Sequence, residues 1–88
     1  MPTINLPPQL AGFASGQRQL SVQAADLSTA FDELDKVAPM VRSQILEADG
    51  QVRPFVGLFV DDEQVLGLEA RPLSSASQVQ VVMSVAGG

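Results

Sequence analysis

Few residues of this chain could take part in chemistry. The 88 residues include no cysteine and no histidine, which excludes disulfides, thiolate metal sites, cysteine nucleophiles and imidazole acid–base chemistry. Because no nucleophile and base pair can be nominated, we expect no catalysis by the chain itself. The most distinctive feature is the ending QVQVVMSVAGG, where an alternating apolar pattern is followed by two glycines, Gly87 and Gly88.

Two short acidic clusters are the other candidates. The run Asp-Asp-Glu at 61–63 could be a metal site, an acidic docking patch or a charged turn. A metal ion needs ligands that converge, whereas turns are solvated and often acidic, so the turn is favoured and we assign no metal. The acidic residues at 32, 33 and 35 are typical of the solvent-facing side of a helix.

Charge and hydropathy narrow the class of protein. Five basic residues are scattered among ten acidic ones, which gives a net charge of -5. Because phosphate recognition needs clustered positive charge, nucleic acid is excluded as a partner. No apolar run approaches the ~20 residues that span a bilayer. The start MPTINLPPQL lacks the basic and apolar regions of a signal peptide. We expect a soluble, cytoplasmic protein with no membrane partner and a single domain over residues 1–88.

The chain alternates between strand and helix signals. Residues 3–6 and 19–24 predict two strands of a hairpin, joined by a long Pro- and Gly-containing loop, PPQLAGFASGQ. Asp26 is a candidate N-cap for a helix that must stop at Pro39, and residues 40–46 are compatible with one more helical turn. The apolar stripe of this helix is predicted to be Leu27, Ala30, Phe31, Leu34, Val37 and Ala38.

The second half of the sequence predicts three strands. The run 55–60 is apolar on both faces and suits a central strand. Residues 61–64 predict a turn, 65–66 a short return strand, and the alternation around Val79 and Val81 a final strand that ends near Met83.

This order of elements predicts an α+β fold of the β-grasp type. One helix can cover only one sheet face, and a helix between the second and third strands serves as the crossover. We therefore expect a ubiquitin-like roll with a mixed sheet of four to five strands and one main helix packed on one face. The predicted core is Leu20, Val22, Leu27, Phe31, Leu34, Val56, Leu58, Val60, Val79 and Val81.

Four features of the chain carry a family resemblance: the order of its elements, its length, the segment FVGLFVDDEQV and above all the ending VAGG. Together they resemble the ThiS/MoaD-type sulfur-carrier proteins, which are prokaryotic relatives of ubiquitin. The long chain and that central segment look more like the cysteine-type and secondary-metabolite-type carriers than the short thiamin type. The chain departs from the family in having SSASQ before its last strand and MSV before its tail, which bears on partner contacts and leaves the terminus intact.

The resemblance implies that Gly88 is the working group. Its carboxylate would be adenylated at the expense of ATP by a partner enzyme and converted to a thiocarboxylate, so the protein is a carrier that binds no permanent cofactor. Residues 84–88 would form a flexible tail in which Val85, Ala86 and Gly87 serve recognition. Glycines suit a narrow active-site channel because they lack side chains and reach backbone angles closed to other residues.

The same resemblance also implies which proteins are the partners of this chain. They are a ubiquitin-activating-type adenylyltransferase or sulfurtransferase, a sulfur-accepting biosynthetic enzyme and, as a further candidate, a JAB-type metalloprotease. Two alternatives stay open. One is a ubiquitin-like modifier that is conjugated through Gly88 to lysine amines, and the other is an interaction domain without terminal chemistry.

A partner surface is predicted from strand alternation. If the predicted core faces the helix, then Phe55, Phe59 and Val82 lie on the opposite, uncovered sheet face, where an apolar patch would be a docking surface. The alternatives are an inverted strand register or a first loop that folds over these side chains.

Overall fold

The computed structural model describes residues 1–68 and 71–83 of the chain. Within these residues, nine elements follow one another in the order strand, helix, 3₁₀ turn, strand, two helices and three strands. They are β1 (Thr3–Asn5), α1 (Pro8–Ala11), a 3₁₀ turn (Gly12–Ala14), β2 (Gln19–Ser21), α2 (Leu27–Val37), α3 (Pro39–Ile45), β3 (Val56–Val60), β4 (Glu63–Val65) and β5 (Gln78–Met83).

The five strands form one mixed sheet in the order β2-β1-β5-β3-β4. Strand β5 lies in the middle, parallel to β1 on one side and antiparallel to β3 on the other. The remaining neighbours, β1 with β2 and β3 with β4, are antiparallel. This arrangement, with α2 leading from β2 to the other half of the sheet, confirms the predicted β-grasp fold.

One face of the sheet and the helices enclose the core. Strand β3 alternates strictly, with Val56, Leu58 and Val60 buried and the residues between them partly exposed. Every residue of the predicted core is buried, which confirms the strand register inferred from the sequence. The core also contains Ala30 and Ala38, which the sequence places on the helix stripe, and eight residues that the sequence analysis did not include: Ile4, Leu6, Leu10, Ala14, Val41, Ile45, Leu46 and Val65.

Helix α2 begins and ends where the sequence predicts. The Asp26 carboxylate accepts a hydrogen bond from the Thr29 backbone N–H at 2.8 Å, and Pro39 begins a separate helix. The predicted apolar stripe is wrong at one position, because Val37 is 67% exposed. On a helix with 3.6 residues per turn Val37 lies about 80° from the direction of Leu27, at the edge of the stripe, and the helix ends there.

Two segments are more helical than predicted. Residues 39–45 form the complete helix α3, which buries Val41 and Ile45. The predicted first loop contains α1 and the 3₁₀ turn, with Pro8 at the start of α1, where a missing backbone N–H costs nothing. Leu10 and Ala14 are buried, so this segment closes one end of the core and the expectation of a loop was wrong.

The β3–β4 connection is tighter than predicted. The turn consists of Asp61 and Asp62 alone, and β4 already begins at Glu63. Both turn residues have positive φ, +49° and +72°, as a type I′ hairpin turn requires. The Asp61 carboxylate accepts a hydrogen bond from the Gln78 backbone N–H at 2.9 Å, so the first aspartate also ties the turn to β5.

In the part of the chain that the structure describes, no helix is long and apolar enough to cross a membrane.

We predict that Asp62→Gly stabilises the domain, by up to about 1 kcal/mol, because glycine relieves a left-handed backbone conformation that costs other residues about 1–2 kcal/mol. Asp61→Gly is the matched variant: it relaxes the backbone in the same way but removes the acceptor for the Gln78 N–H. In urea unfolding, the free energy of unfolding should be highest for Asp62→Gly, lower for wild type and lowest for Asp61→Gly. An equal increase in the free energy of unfolding for both glycine variants would show that the Asp61 hydrogen bond contributes nothing to stability.

A second prediction concerns pH. The hydrogen bond from the Thr29 N–H lowers the pKa of Asp26 below its ordinary value of 3.8. A carboxylate whose pKa is lower in the folded state contributes stability above its unfolded pKa and loses it as pH falls through the folded pKa. Asp26→Ala should therefore be less stable than wild type at pH 7, and the deficit should shrink below pH ~4.

Asp26→Asn is the control, because an amide oxygen also caps a helix but does not titrate in this range. Its stability relative to wild type should improve on acidification, as measured by thermal unfolding between pH 7 and pH 3. A deficit of Asp26→Ala that is the same at every pH would contradict a role for the charged cap.

Candidate docking face

Strand β5 fixes the position from which the chain continues toward its last residues. It is hydrogen-bonded on both sides, to β1 over Gln78–Gln80 and to β3 over Val79–Met83. The pairing with β3 continues to the last residue of the strand, where Met83 lies across from Val56, so the end of β5 is held in the sheet. The predicted tail residues Val85, Ala86, Gly87 and Gly88 lie outside the described residues.

The sheet face opposite the helices, which we call the open face, carries only uncharged strand residues. This is unusual in a chain with a net charge of -5, because exposed positions normally carry most of the charged side chains. The strand pairings and burial patterns place ten residues on it: Thr3, Asn5, Gln19, Ser21, Gly57, Phe59, Gln64, Gln78, Gln80 and Val82.

The apolar part of the open face is centred on Gly57. A Cβ atom at this position would lie 2.8 Å from Val82 Cγ2 and 3.1 Å from Phe59 Cε1, so the Phe59 ring occupies the space that a side chain would take. Phe59 is half-buried, whereas Val82, directly across from Gly57, is 42% exposed. Phe59 and Val82 therefore form a continuous apolar surface, as the strand alternation predicts.

Phe55, the third residue of the predicted partner surface, has a different setting. It precedes β3 and lies in a turn closed by a hydrogen bond from the Val56 N–H to the Arg53 carbonyl, at 3.0 Å. Its side chain is 56% exposed. The alternation that assigns Phe59 to the open face does not extend to Phe55, because regular strand geometry starts at Val56.

Amide side chains occupy the other half of the open face. Gln19 Nε2 donates to Asn5 Oδ1 at 3.2 Å, and Asn5 Nδ2 donates to Gln78 Oε1 at 3.0 Å. These bonds connect β2, β1 and β5 in a row across the sheet. The sequence analysis missed this row, although glutamine and asparagine alternating with apolar residues at 4–6, 19–22 and 78–81 were a usable signal.

The acidic run at 61–63 belongs to the structure of the hairpin, as the sequence analysis favoured. Asp61 accepts a hydrogen bond from the Gln78 backbone, and Glu63 forms an ion pair with Arg71. Among residues 1–68 and 71–83, no group of three acidic side chains could hold a metal ion. Two of the three carboxylates are therefore engaged in contacts within the protein.

Three solved structures share this fold over almost the entire chain. One chain of the BexX/CysO complex of Amycolatopsis orientalis aligns over 100% of both chains, with a TM-score of 0.87 and 21% sequence identity. CysO, an antigen of Mycobacterium tuberculosis, aligns over 97% of this chain and 100% of its own, with a TM-score of 0.85 and 22% identity. SAMP1 of Haloferax volcanii, a small archaeal modifier protein, aligns over 99% and 98%, with a TM-score of 0.78 and 23% identity.

No protein-family model matches the chain, and no curated protein matches it. At identities of 21–23% the structural similarity establishes the fold. The predicted β-grasp architecture is thereby confirmed.

We predict that Phe59→Asp leaves the domain folded, because the open face exposes this position to water and the carboxylate can be solvated. The matched variant is Val60→Asp, one residue along β3, where the side chain is fully buried. Burying an unpaired carboxylate costs several kcal/mol, so Val60→Asp should unfold the domain. Thermal unfolding followed by circular dichroism compares the two, and unfolding of both would show that Phe59 belongs to the core.

Proposed function

We propose that this protein is a sulfur carrier whose Gly88 carboxylate is activated by a partner enzyme and converted to a thiocarboxylate. The observation that carries the proposal is the position of β5: the central, doubly paired strand of a β-grasp sheet is followed in the sequence by SVAGG. A rigid strand sets the direction in which the chain leaves the sheet, and glycines lacking side chains suit a narrow catalytic channel. The structural similarity to a chain of the BexX/CysO complex supports this function.

Activation is needed because a carboxylate is a poor electrophile. An oxygen of the Gly88 carboxylate attacks the α-phosphorus of ATP, the bond to the β-phosphate oxygen breaks, and pyrophosphate leaves. The resulting acyl-adenylate is then attacked at its carbonyl carbon by hydrosulfide (HS⁻), which the partner or a sulfurtransferase supplies and which loses its proton to solvent. The carbon–oxygen bond to AMP breaks, AMP leaves with the electron pair, and the thiocarboxylate remains. The chain itself is a substrate in these steps, and the ATP is bound by the activating enzyme.

The open face is proposed as the surface that docks on the activating enzyme. Phe59 and Val82 provide an apolar centre, and half-buried aromatic side chains are frequent anchors in protein interfaces. The surrounding amides can exchange water for hydrogen bonds with a partner without the cost of desolvating charges. Phe55, which is exposed, is proposed as a further contact at the edge of this surface.

A second candidate function is protein modification. The observation that favours it is the structural similarity to SAMP1 of Haloferax volcanii, a small archaeal modifier protein. In that case a lysine amine attacks the same acyl-adenylate carbonyl, the amine loses a proton, and an isopeptide bond forms as AMP is released. Both functions require the same first step at Gly88, so only the product separates them.

We predict that incubation with the cognate adenylating enzyme, ATP and a sulfur source raises the intact mass by the difference between sulfur and oxygen. The matched variants are deletion of Gly88 and addition of one alanine after it, each of which displaces the carboxylate by about 3.3 Å from its in-line position at the α-phosphorus. Intact-mass spectrometry and release of pyrophosphate should show activity for wild type and none for either variant.

The controls separate the chemistry from stability. Both tail variants should unfold at the same midpoint as wild type, and Phe59→Asp should retain the terminal glycines yet be adenylated more slowly at low concentrations of the carrier. Conjugates of higher mass in place of the sulfur adduct would favour the modifier function. Adenylation of the alanine-extended chain without prior trimming would overturn the role of Gly88 and favour a plain interaction domain.

A further inference from the structure

A polar groove opens beside the apolar centre of the open face. It is lined by Asn5, Leu6, Arg18, Gln19 and Gln80 and has a volume of about 440 Å³. Arg18, which directly precedes β2, is the only charged residue among the described residues that line it. The backbone of Arg18 is held in register with β1 by a hydrogen bond from the Leu6 N–H to its carbonyl at 2.7 Å.

The Arg18 guanidinium is positioned by a hydrogen bond and has no acidic partner among the described residues. Its Nε donates to the Leu6 carbonyl oxygen at 3.4 Å, a long bond that orients the side chain along the groove. Within residues 1–68 and 71–83, the ion pairs are Lys36 with Glu33 and Arg71 with Glu63, and neither involves Arg18. The other residues lining the groove are neutral, so its walls add no negative charge.

We propose that this groove receives a carboxylate side chain of the activating enzyme, so that Arg18 forms the charged end of the docking face. The proposal rests on the proposed function, since it names a contact of that same interface. A guanidinium presents a planar fork of N–H donors that matches a carboxylate, and the neighbouring Gln19 and Gln80 amides can donate to its remaining lone pairs.

Charge favours a carboxylate presented by a protein over a free anion. Phosphate sites usually combine several backbone N–H groups, a helix N-terminus or more than one cation, whereas the groove offers one guanidinium. The net charge of -5 also lowers the local concentration of free anions. A carboxylate on a docked enzyme is instead held near Arg18 by the rest of the interface, which raises its effective concentration.

The position of the groove gives this contact a role in orientation. Gln80 lies on β5 three places before Met83, and the Leu6–Arg18 pairing lies beyond Asn5 along β1, which runs parallel to β5. The groove is therefore toward the end of the sheet from which the chain continues to Gly88. An apolar patch alone allows rotation about its centre, but a charged pair to one side of it fixes the angle at which the sheet sits on the enzyme.

The experiment measures the affinity of the full chain for its cognate adenylating enzyme by isothermal titration calorimetry. We expect Arg18→Gln to weaken binding about tenfold. The affinity of Arg18→Lys should lie between those of Arg18→Gln and wild type, and Arg18→Glu should have the lowest affinity. The wild-type affinity should fall as salt is raised, and Arg18→Gln should lose most of that dependence. Arg53→Gln is the matched control: Arg53 is also exposed, and its Nε also donates to a backbone carbonyl, that of Ser43, at 2.7 Å.

The possible outcomes test the groove proposal and the proposed function separately. If wild type is adenylated but Arg18→Gln and Arg53→Gln both bind like wild type, the groove proposal is overturned and the carrier function stands. If wild type is neither bound nor adenylated, both are overturned. A shift of the Arg18 Nε–H resonance on titration with inorganic phosphate or ATP alone, without enzyme, would identify a general anion site and overturn the protein carboxylate as its occupant.

Discussion

The pairing of β5 with both β1 and β3 is the constraint on which the rest of this structure depends. It joins the first strand of the chain to the last one described and unites two hairpins, β2–β1 and β3–β4, into one sheet. Val79 and Val81 at its centre are buried and complete the surface on which α2 packs. Without β5, neither hairpin would have enough apolar partners for a core, because an isolated two-stranded hairpin is marginal in water.

The same pairing separates the two roles of the sheet. One face is devoted to the core, and the other is left open with residues that neither repel a protein partner nor bind water as strongly as charges do. Because side chains alternate along a strand, Leu58 contributes to the core while its neighbour Phe59 is free for the recognition role that we propose. Gly57 contributes by having no side chain, which lets the Phe59 ring and Val82 approach each other across β3 and β5.

The sequence predicts the parts of this molecule that repeat with a regular period. The alternation in β3 and β5 and the stripe of α2 identified the core and placed Phe59 and Val82 on the open face. Helix α1 was missed because four residues are too few to show a period, and their Pro- and Gly-rich surroundings resemble a turn. The groove could not be predicted, because Arg18 and Gln80 are distant in sequence and meet only through the strand order β2-β1-β5. The tail is known from sequence alone, so its chemistry is a proposal that the fold supports.

The central position of β5 also has a consequence for biosynthesis. Synthesis proceeds from the N-terminus, and β5 is the last strand in the described chain, so β1 and β3 are made before the strand that joins them. During that interval the edges of β1 and β3 are unpaired, and strand edges of this kind are where chains associate with one another. Partly folded chains of this protein should therefore be most prone to aggregate until β5 has paired with both β1 and β3.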